Sequence, residues 1–348
     1  MAFFSLRGHF SAVLPGPTSP PARTPEGPWS ANQRGPLTFA RIEVSVPPQH
    51  RPGHVELPDG ATPDPQTDFV TREVRSFVDG AAFRGAIRGR LRGGGRAAGE
   101  VIVTVHGFNN TIGDGVYRTA QMVHGLGIAG PAVHYSWSSL GKPLGYAADR
   151  DSALFARDGL EQLLGELGRA GAGRIVLVAH SMGSHLTMET LRQIAIRGDH
   201  AMMDRIAGVV LMAPDIDIGL FRRQAEAIGQ LPQPFVIFTS QRDPALSLSA
   251  RLTWQPNRLG NIQGIDALKG LEVIVVDLTE ARDVDMRHQA ALSSPSVLRF
   301  MEQAADVRRA MQTDQTGRTG LVPGTMLIAQ EATAVMLAPI AVIEQASD

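Results

Sequence analysis

GRIVLVAHSMGSHLTMETLRQ, Gly173 to Gln193, is the stretch that decides the fold. Its apolar run Ile175 to Val178 is continuous in Ile, Val and Leu, the composition of a parallel strand buried on both faces. Leu186, Thr190 and Leu191 then recur at helical spacing. Between the two, Ala179 to Gly183 form a small-x-Ser-x-Gly turn. Small residues at its ends let strand and helix approach while Ser181 projects its hydroxyl above the sheet, the geometry of a nucleophile elbow. Alanine takes the place of the first glycine of the G-x-S-x-G pattern, a small-for-small exchange. The bland alternative is a serine that caps a helix.

An elbow of this type takes its acid and then its base from downstream, in the order Ser, Asp or Glu, His. Of the ten histidines only His288 lies beyond His200, so the base falls to His288 by elimination. It sits in DVDMRHQAALSSPSVLRF, after the strand-like LEVIVVDL and before a helical pattern of Leu292, Val297, Leu298 and Met301. Asp243, a few residues past the apolar strand Phe235 to Phe238, is the first choice for the acid. Asp215, after the strand Val209 to Met212, is its rival, and Asp217 is placed to cap a helix beginning near Ile218. Either aspartate also suits an ordinary strand-to-helix turn.

VIVTVHGFNNT, Val101 to Thr111, reads as a strand ending in His106-Gly107-Phe108, a loop of the kind that offers one backbone N–H to a tetrahedral intermediate. The second N–H comes from the residue after the nucleophile, Met182. His106 precedes Ser181 and so is structural, not the base. Asn109 and Asn110 either shape this loop or contact substrate. Trp137 and Tyr135, at the end of AVHYSW, are candidates to line the pocket mouth and serve equally well as packing residues.

VIVTVHGFNNT, VHYSWSSLGKPLGYAADRDSA, VLVAHSMGSHLTMETLRQ, VVLMAPDID, FTSQRDPAL and the RHQAALSSP segment together resemble the DUF900 family of α/β-hydrolases, over about residues 37 to 305. The upstream EVSVPPQHRPGHVELP resembles the lead-in of family members. The resemblance implies an α/β-hydrolase fold with a mostly parallel central sheet and helices on both faces. It also implies an esterase or lipase with Ser181, Asp243 and His288 as triad and Phe108 and Met182 as oxyanion donors. Specificity it leaves open.

The chain of 348 residues, 43% hydrophobic and 19% charged, is long enough to bury a substantial core, and one α/β domain with extensions accounts for it. A net charge of -1 argues against a general nucleic-acid-binding protein. The absence of cysteine excludes disulfides and thiolate metal sites. His180 and His185 lack a third ligand at suggestive spacing, so no metal and no cofactor are expected. The glycine cluster Gly93 to Gly95 lacks the lysine and strand–helix setting of a phosphate-binding loop. Arg84, Arg88, Arg90 and Arg92 lie opposite the apolar face Phe83, Ile87 and Leu91 of a helix and read as its solvated side.

Along the chain, residues 1–36 are rich in Pro, Gly, Ser and Ala and read as a flexible leader. Met1 to Leu14 is a poor signal peptide because Arg7 and His9 interrupt it, which favours a cytoplasmic location over export. LTFARIEVS, residues 37 to 45, alternates like a strand. Strand and helix then alternate: VIVTV with a helix around Tyr117 to His124, AVHYSW with Asp151 to Leu167, the elbow pair, VVLMA with Leu220 to Ile228, then FVIFT and EVIVV. This rhythm predicts a parallel sheet covered on both faces.

The segment Leu246 to Ile265 interrupts the rhythm and is a candidate cap, with Leu248 and Trp254 as apolar wall. Residues 306–348 form a C-terminal extension of unassigned role. Its apolar stretch Gly324 to Ile343 carries Gln330 and Glu331 near the middle, and a central carboxylate costs about 2.5 kcal/mol or more on insertion, so no transmembrane span is expected. A packed tail or self-association is the expectation there.

These residues predict a serine hydrolase cleaving carboxylic esters of small molecules through an acyl-enzyme, favouring short acyl chains. The reading from another class is a non-catalytic hydrolase-fold protein that binds or assembles. A binding module need not keep nucleophile, acid, base and oxyanion loop in order.

Overall fold

The computed structural model describes residues 8–15, 36–51, 53–58, 62–92, 98–142, 145–242, 246, 257–262, 264, 266–279, 326–331 and 334–338. Among these, eleven strands form one sheet. In chain order they are β1 (Gly8–Pro15), β2 (Leu37–Ser45), β3 (Val70–Ser76), β4 (Glu100–Val105), β5 (Ala132–Tyr135), β6 (Arg174–His180), β7 (Ile206–Met212), β8 (Phe235–Thr239), β9 (Ile274–Asp277), β10 (Met326–Glu331) and β11 (Ala334–Ala338). The spatial order is β11-β10-β9-β8-β7-β6-β4-β5-β1-β2-β3. From β1 to β10 every neighbouring pair is parallel, and β2, β3 and β11 add antiparallel edges.

Helices α1 (Gly80–Arg92), α2 (Ile112–Gly125), α3 (Tyr146–Phe155), α4 (Arg157–Ala170), α5 (Met182–Ile196), α6 (His200–Met203) and α7 (Ile218–Ile228) cover the sheet. Alternation along the strands sorts side chains between two faces. Val101, Val103 and Val105 of β4 join Leu177 and Ala179 of β6 and the apolar stripes of α4 and α5 in the larger core cluster. Ala40, Ile42 and Val44 of β2 turn the other way, onto Val116 and Ala120 of α2. The apolar helix face of Phe83, Ile87 and Leu91 is buried in α1, while Arg84 reaches Glu166 of α4.

Several elements differ from the sequence reading. Gly8–Pro15, inside the stretch read as flexible leader, pairs with both β5 and β2 and fills the gap between them. β3 was not anticipated: VTREVRS carries charges on both sides and forms an outer strand paired with β2. The helix expected over Asp151 to Leu167 is two, α3 and α4, meeting at Ala156, whose carbonyl accepts the Tyr135 hydroxyl at 2.7 Å. In the C-terminal extension, β10 runs parallel beside β9 and β11 antiparallel beside β10. Among the described residues no helix is long and apolar enough to cross a membrane.

Candidate active site

Three non-glycine residues among those described have positive φ: Asn109 at 55°, Ser181 at 52° and Ala213 at 44°. Each follows the C-terminal end of a parallel strand, β4, β6 and β7. Open α/β sheets bind ligands at that edge, and backbone held in a sparsely populated region gathers at functional sites. The observed strain therefore marks one edge of the sheet.

Ser181, with ψ -121°, joins β6 to α5. It stands at the N-cap of α5 but makes no side-chain capping bond, so the helix-capping alternative does not describe it. Its backbone is held by Ser181 N–H to the Met212 carbonyl at 2.9 Å and by Asp215 N–H to the Ser181 carbonyl at 3.2 Å. Met182 opens the helix, where the first N–H groups have no intrahelical acceptor and the dipole favours negative charge. Gly183 lies against β4: a Cβ there would meet the His106 carbonyl oxygen at 2.3 Å.

The loop after β4, expected to offer an oxyanion donor, is braced from within. The backbone N–H of Trp137 donates to His106 Nε2 at 3.1 Å, so Nε2 is the bare nitrogen and Nδ1–H donates to the Gly107 carbonyl at 2.9 Å. Burial holds this imidazole below its ordinary pKa, against the raising effect of those backbone bonds. With both nitrogens engaged, His106 is a strut and not a base. Trp137 stacks on it at 4.9 Å and donates its indole N–H to the His106 carbonyl at 2.8 Å. The indole, a candidate for substrate lining or for packing, thus fastens this loop. Tyr135, the other aromatic candidate, gives its hydroxyl to Ala156.

Burial separates the two asparagines that the sequence left together. Asn109 is exposed, and its left-handed backbone suits an asparagine. Asn110 is buried and its Nδ2 donates to the carbonyls of Phe108 at 2.8 Å and Gly107 at 3.3 Å. Thr111 then caps α2 in a reciprocal capping box with Asp114.

Asp215 proves to be half of a buried ion pair. Arg258 Nε lies 3.3 Å from Asp215 Oδ1, both side chains 2% exposed, and Tyr146 donates its hydroxyl to Oδ2 at 2.8 Å. Burial and then the charge of Asp215 push the Tyr146 phenol up, so it stays a donor. The Tyr146 ring meets that of Phe108 edge to face at 5.4 Å, which carries the network to the loop after β4. Neither Arg258 nor Tyr146 was singled out from sequence. Asp217 caps α7 as expected, accepting from Leu220 N–H at 2.9 Å.

Asp243 and His288 lie outside the described residues, as do Leu248 and Trp254. Of the strands that precede the first two, β8 pairs with β7 and β9 with β8.

The model of the family described as alpha/beta hydrolase of unknown function, DUF900, matches residues 83–305, well over half of the chain. The chain belongs to this family. Among solved structures it is similar to a hyperthermophilic esterase from the archaeon Pyrobaculum calidifontis, with 13% identity, TM-score 0.39 and coverage of 79% of this chain and 82% of that one. A YdeN-like hydrolase from Pectobacterium atrosepticum gives 18% identity, TM-score 0.36 and coverage of 64% and 98%. A fungal esterase from Rhizomucor miehei gives 13%, 0.35, 79% and 80%. No curated protein matches the chain. At these identities and scores the fold rests on the sheet order and the family match.

Proposed function

We propose that this member of the DUF900 family is a serine hydrolase that cleaves carboxylic esters of small molecules, favouring short acyl chains, with Ser181 as nucleophile, Asp243 as acid and His288 as base. The observation that carries the reading is Ser181 at φ 52°, uncapped and 1% exposed, at the strand-to-helix turn above a parallel sheet. Such a conformation costs of order 1–3 kcal/mol and persists where a function uses it.

His288 takes the Ser181 hydroxyl proton as Oγ attacks the ester carbonyl carbon, and Asp243 holds the imidazole in the required tautomer. The carbonyl oxygen becomes an oxyanion facing the N–H groups of Phe108 and Met182, donors worth about 3 kcal/mol each in the transition state. Collapse breaks the C–O bond, the alcohol leaves with the proton from His288, and Ser181 carries the acyl group. Water, deprotonated by His288, attacks that ester and the carboxylic acid leaves as Ser181 recovers its proton.

Fluorophosphonate labelling followed by mapping of the adduct tests this. Ser181 is expected to be modified, with labelling and turnover lost in Ser181→Ala. Folded wild-type protein that neither labels nor hydrolyses p-nitrophenyl acetate would overturn the reading.

A further inference from the structure

We infer that Asn110 is a positioning residue that aims the Phe108 N–H at the oxyanion, an inference that rests on the hydrolase reading above. Both ends of the loop are anchored without it. His106 is held by Trp137, and Thr111 by its capping box with Asp114. Between them, Gly107 imposes no conformation of its own, and Asn109 is exposed at φ 55°.

The carbonyls of Gly107 and Phe108 are tied down by one amide. Asn110 Nδ2 donates to Phe108 O at 2.8 Å and to Gly107 O at 3.3 Å, and His106 Nδ1–H shares Gly107 O at 2.9 Å. In a trans peptide the N–H points opposite to the preceding carbonyl. Fixing Gly107 O therefore fixes the Phe108 N–H on the other side of the same plane. Fixing Phe108 O likewise orients the peptide that follows and sets the left-handed turn at Asn109.

Packing holds the Gly107 α-carbon against the elbow but does not by itself set the rotation of the Gly107–Phe108 peptide. A small, mainly apolar cleft lies beside the loop, lined in part by Thr104, Val105, Gly107, Met122 and Val178. The donors that set that rotation are the Asn110 amide, on both carbonyls, and His106 Nδ1–H, on that of Gly107.

The test compares Asn110→Ala and Asn110→Asp with wild type and Ser181→Ala, using p-nitrophenyl acetate turnover and fluorophosphonate labelling. Asn110→Ala is expected to lower kcat about 10- to 100-fold, less than the roughly 10²- to 10³-fold of losing a donor outright, with KM within about threefold. Asn110→Asp is nearly isosteric but has no donor for the two carbonyls, so its kcat is expected to fall further than that of Asn110→Ala. A packing role reverses that order, and the reversed order overturns the inference.

Affinity for a boronic acid that mimics the tetrahedral state is expected to weaken in Asn110→Ala in step with kcat, while affinity for the product acid stays unchanged. Should Asn110→Asp fail to fold, this pair of affinities decides alone, and equal weakening of both overturns the positioning role. If Ser181 labels and both Asn110 variants turn over within twofold of wild type, only the positioning role falls. If wild type neither labels nor turns over, the hydrolase reading falls and takes this one with it.

Discussion

Gly107 rests on Ser181 so closely that a Cβ built on the glycine would stand 2.8 Å from Cβ of the serine. The same atom would meet His180 Nδ1 at 2.8 Å. On the other side of the contact, Gly183 of α5 lies against the carbonyls of His106 and Val105. The elbow and the loop after β4 therefore interlock through two glycines.

Gly183→Ala is expected to damage both stability and activity. Its Cβ would stand 2.3 Å from the His106 oxygen, which is backbone and bonded to the Trp137 indole. Forcing atoms into a packed site costs typically about 1–3 kcal/mol, and here the strain falls on the loop proposed to carry the Phe108 donor. The urea midpoint and p-nitrophenyl acetate turnover should both fall. Gly85→Ala in α1, with nothing within 4 Å of the new carbon, should be neutral or stabilising by about 0.5–1 kcal/mol. A Gly183→Ala protein with wild-type midpoint and rate would refute the interlock.

The two aspartates should separate by kind of damage. Asp243→Asn is expected to cut kcat by about 10⁴-fold through the wrong imidazole tautomer, with little loss of stability. Asp215→Asn should instead destabilise, because it leaves the buried Arg258 charge uncompensated, a loss of about 3–5 kcal/mol when one partner of a buried pair is removed. Its kcat should fall much less. Paired denaturation and kinetic measurements decide, and the reverse pattern would make Asp215 the acid.

The strands flanking the site were legible because they are short runs of Ile, Val and Leu that only a two-sided core can bury, as in β4, β6 and β7. Outer elements were not. The charged pattern of VTREVRS lacks an apolar face, and Gly8–Pro15 is followed by prolines that read as leader. The break at Ala156, whose carbonyl accepts a hydroxyl from β5, has no local signature in the sequence.

The site divides in the same way. The elbow, its glycine and the His106-Gly107-Phe108 loop are local patterns. The Asp215–Arg258 pair joins residues far apart in the chain, and Tyr146 differs from Tyr135 only by which partner its hydroxyl finds. Asn109 and Asn110 are adjacent and chemically identical, and burial alone tells them apart.

Stability should fall as pH drops from about 6.5 to about 5.5, before most carboxylates titrate. Burial lowers the pKa of His106, His134 and His185, and the charge on the neighbouring His106 lowers that of His134 further. A folded pKa below the unfolded value of about 6.5 means the unfolded chain binds more protons below that pH. The contribution is thus complete above about pH 6.5 and is lost as pH falls toward the folded pKa, by up to about 1.36 kcal/mol per pH unit for each group. Urea midpoints across that range measure it. A flat profile would show that these rings are solvated or paired with acids in solution.

Acyl-chain preference should follow from how the sheet edge is covered. Within the interrupting segment, residues 257–262 are fastened to the turns that follow β7 and β8. Ser240 N–H donates to the Gly260 carbonyl at 2.8 Å, Gly260 N–H to Pro214 at 2.9 Å and Leu259 N–H to Ile216 at 2.8 Å. Leu259 and Ile262 are buried in the core, and a Cβ on Gly260 would meet the Ala213 carbonyl carbon at 2.7 Å. A piece pinned this way does not swing as a lid. The sequence also clusters small residues around Gly141 to Ala148, which suits a shallow site. Each buried methylene contributes about 0.8 kcal/mol, so selectivity should stop rising once the chain protrudes. We therefore expect higher kcat/KM for p-nitrophenyl acetate or butyrate than for the palmitate ester in detergent-free solution. No rate jump should appear as a short-chain ester crosses its solubility limit. A preference for C12 to C16 esters, or a sharp jump at that limit, would instead place a long acyl groove or a moving element at this edge and sink the shallow-site reading.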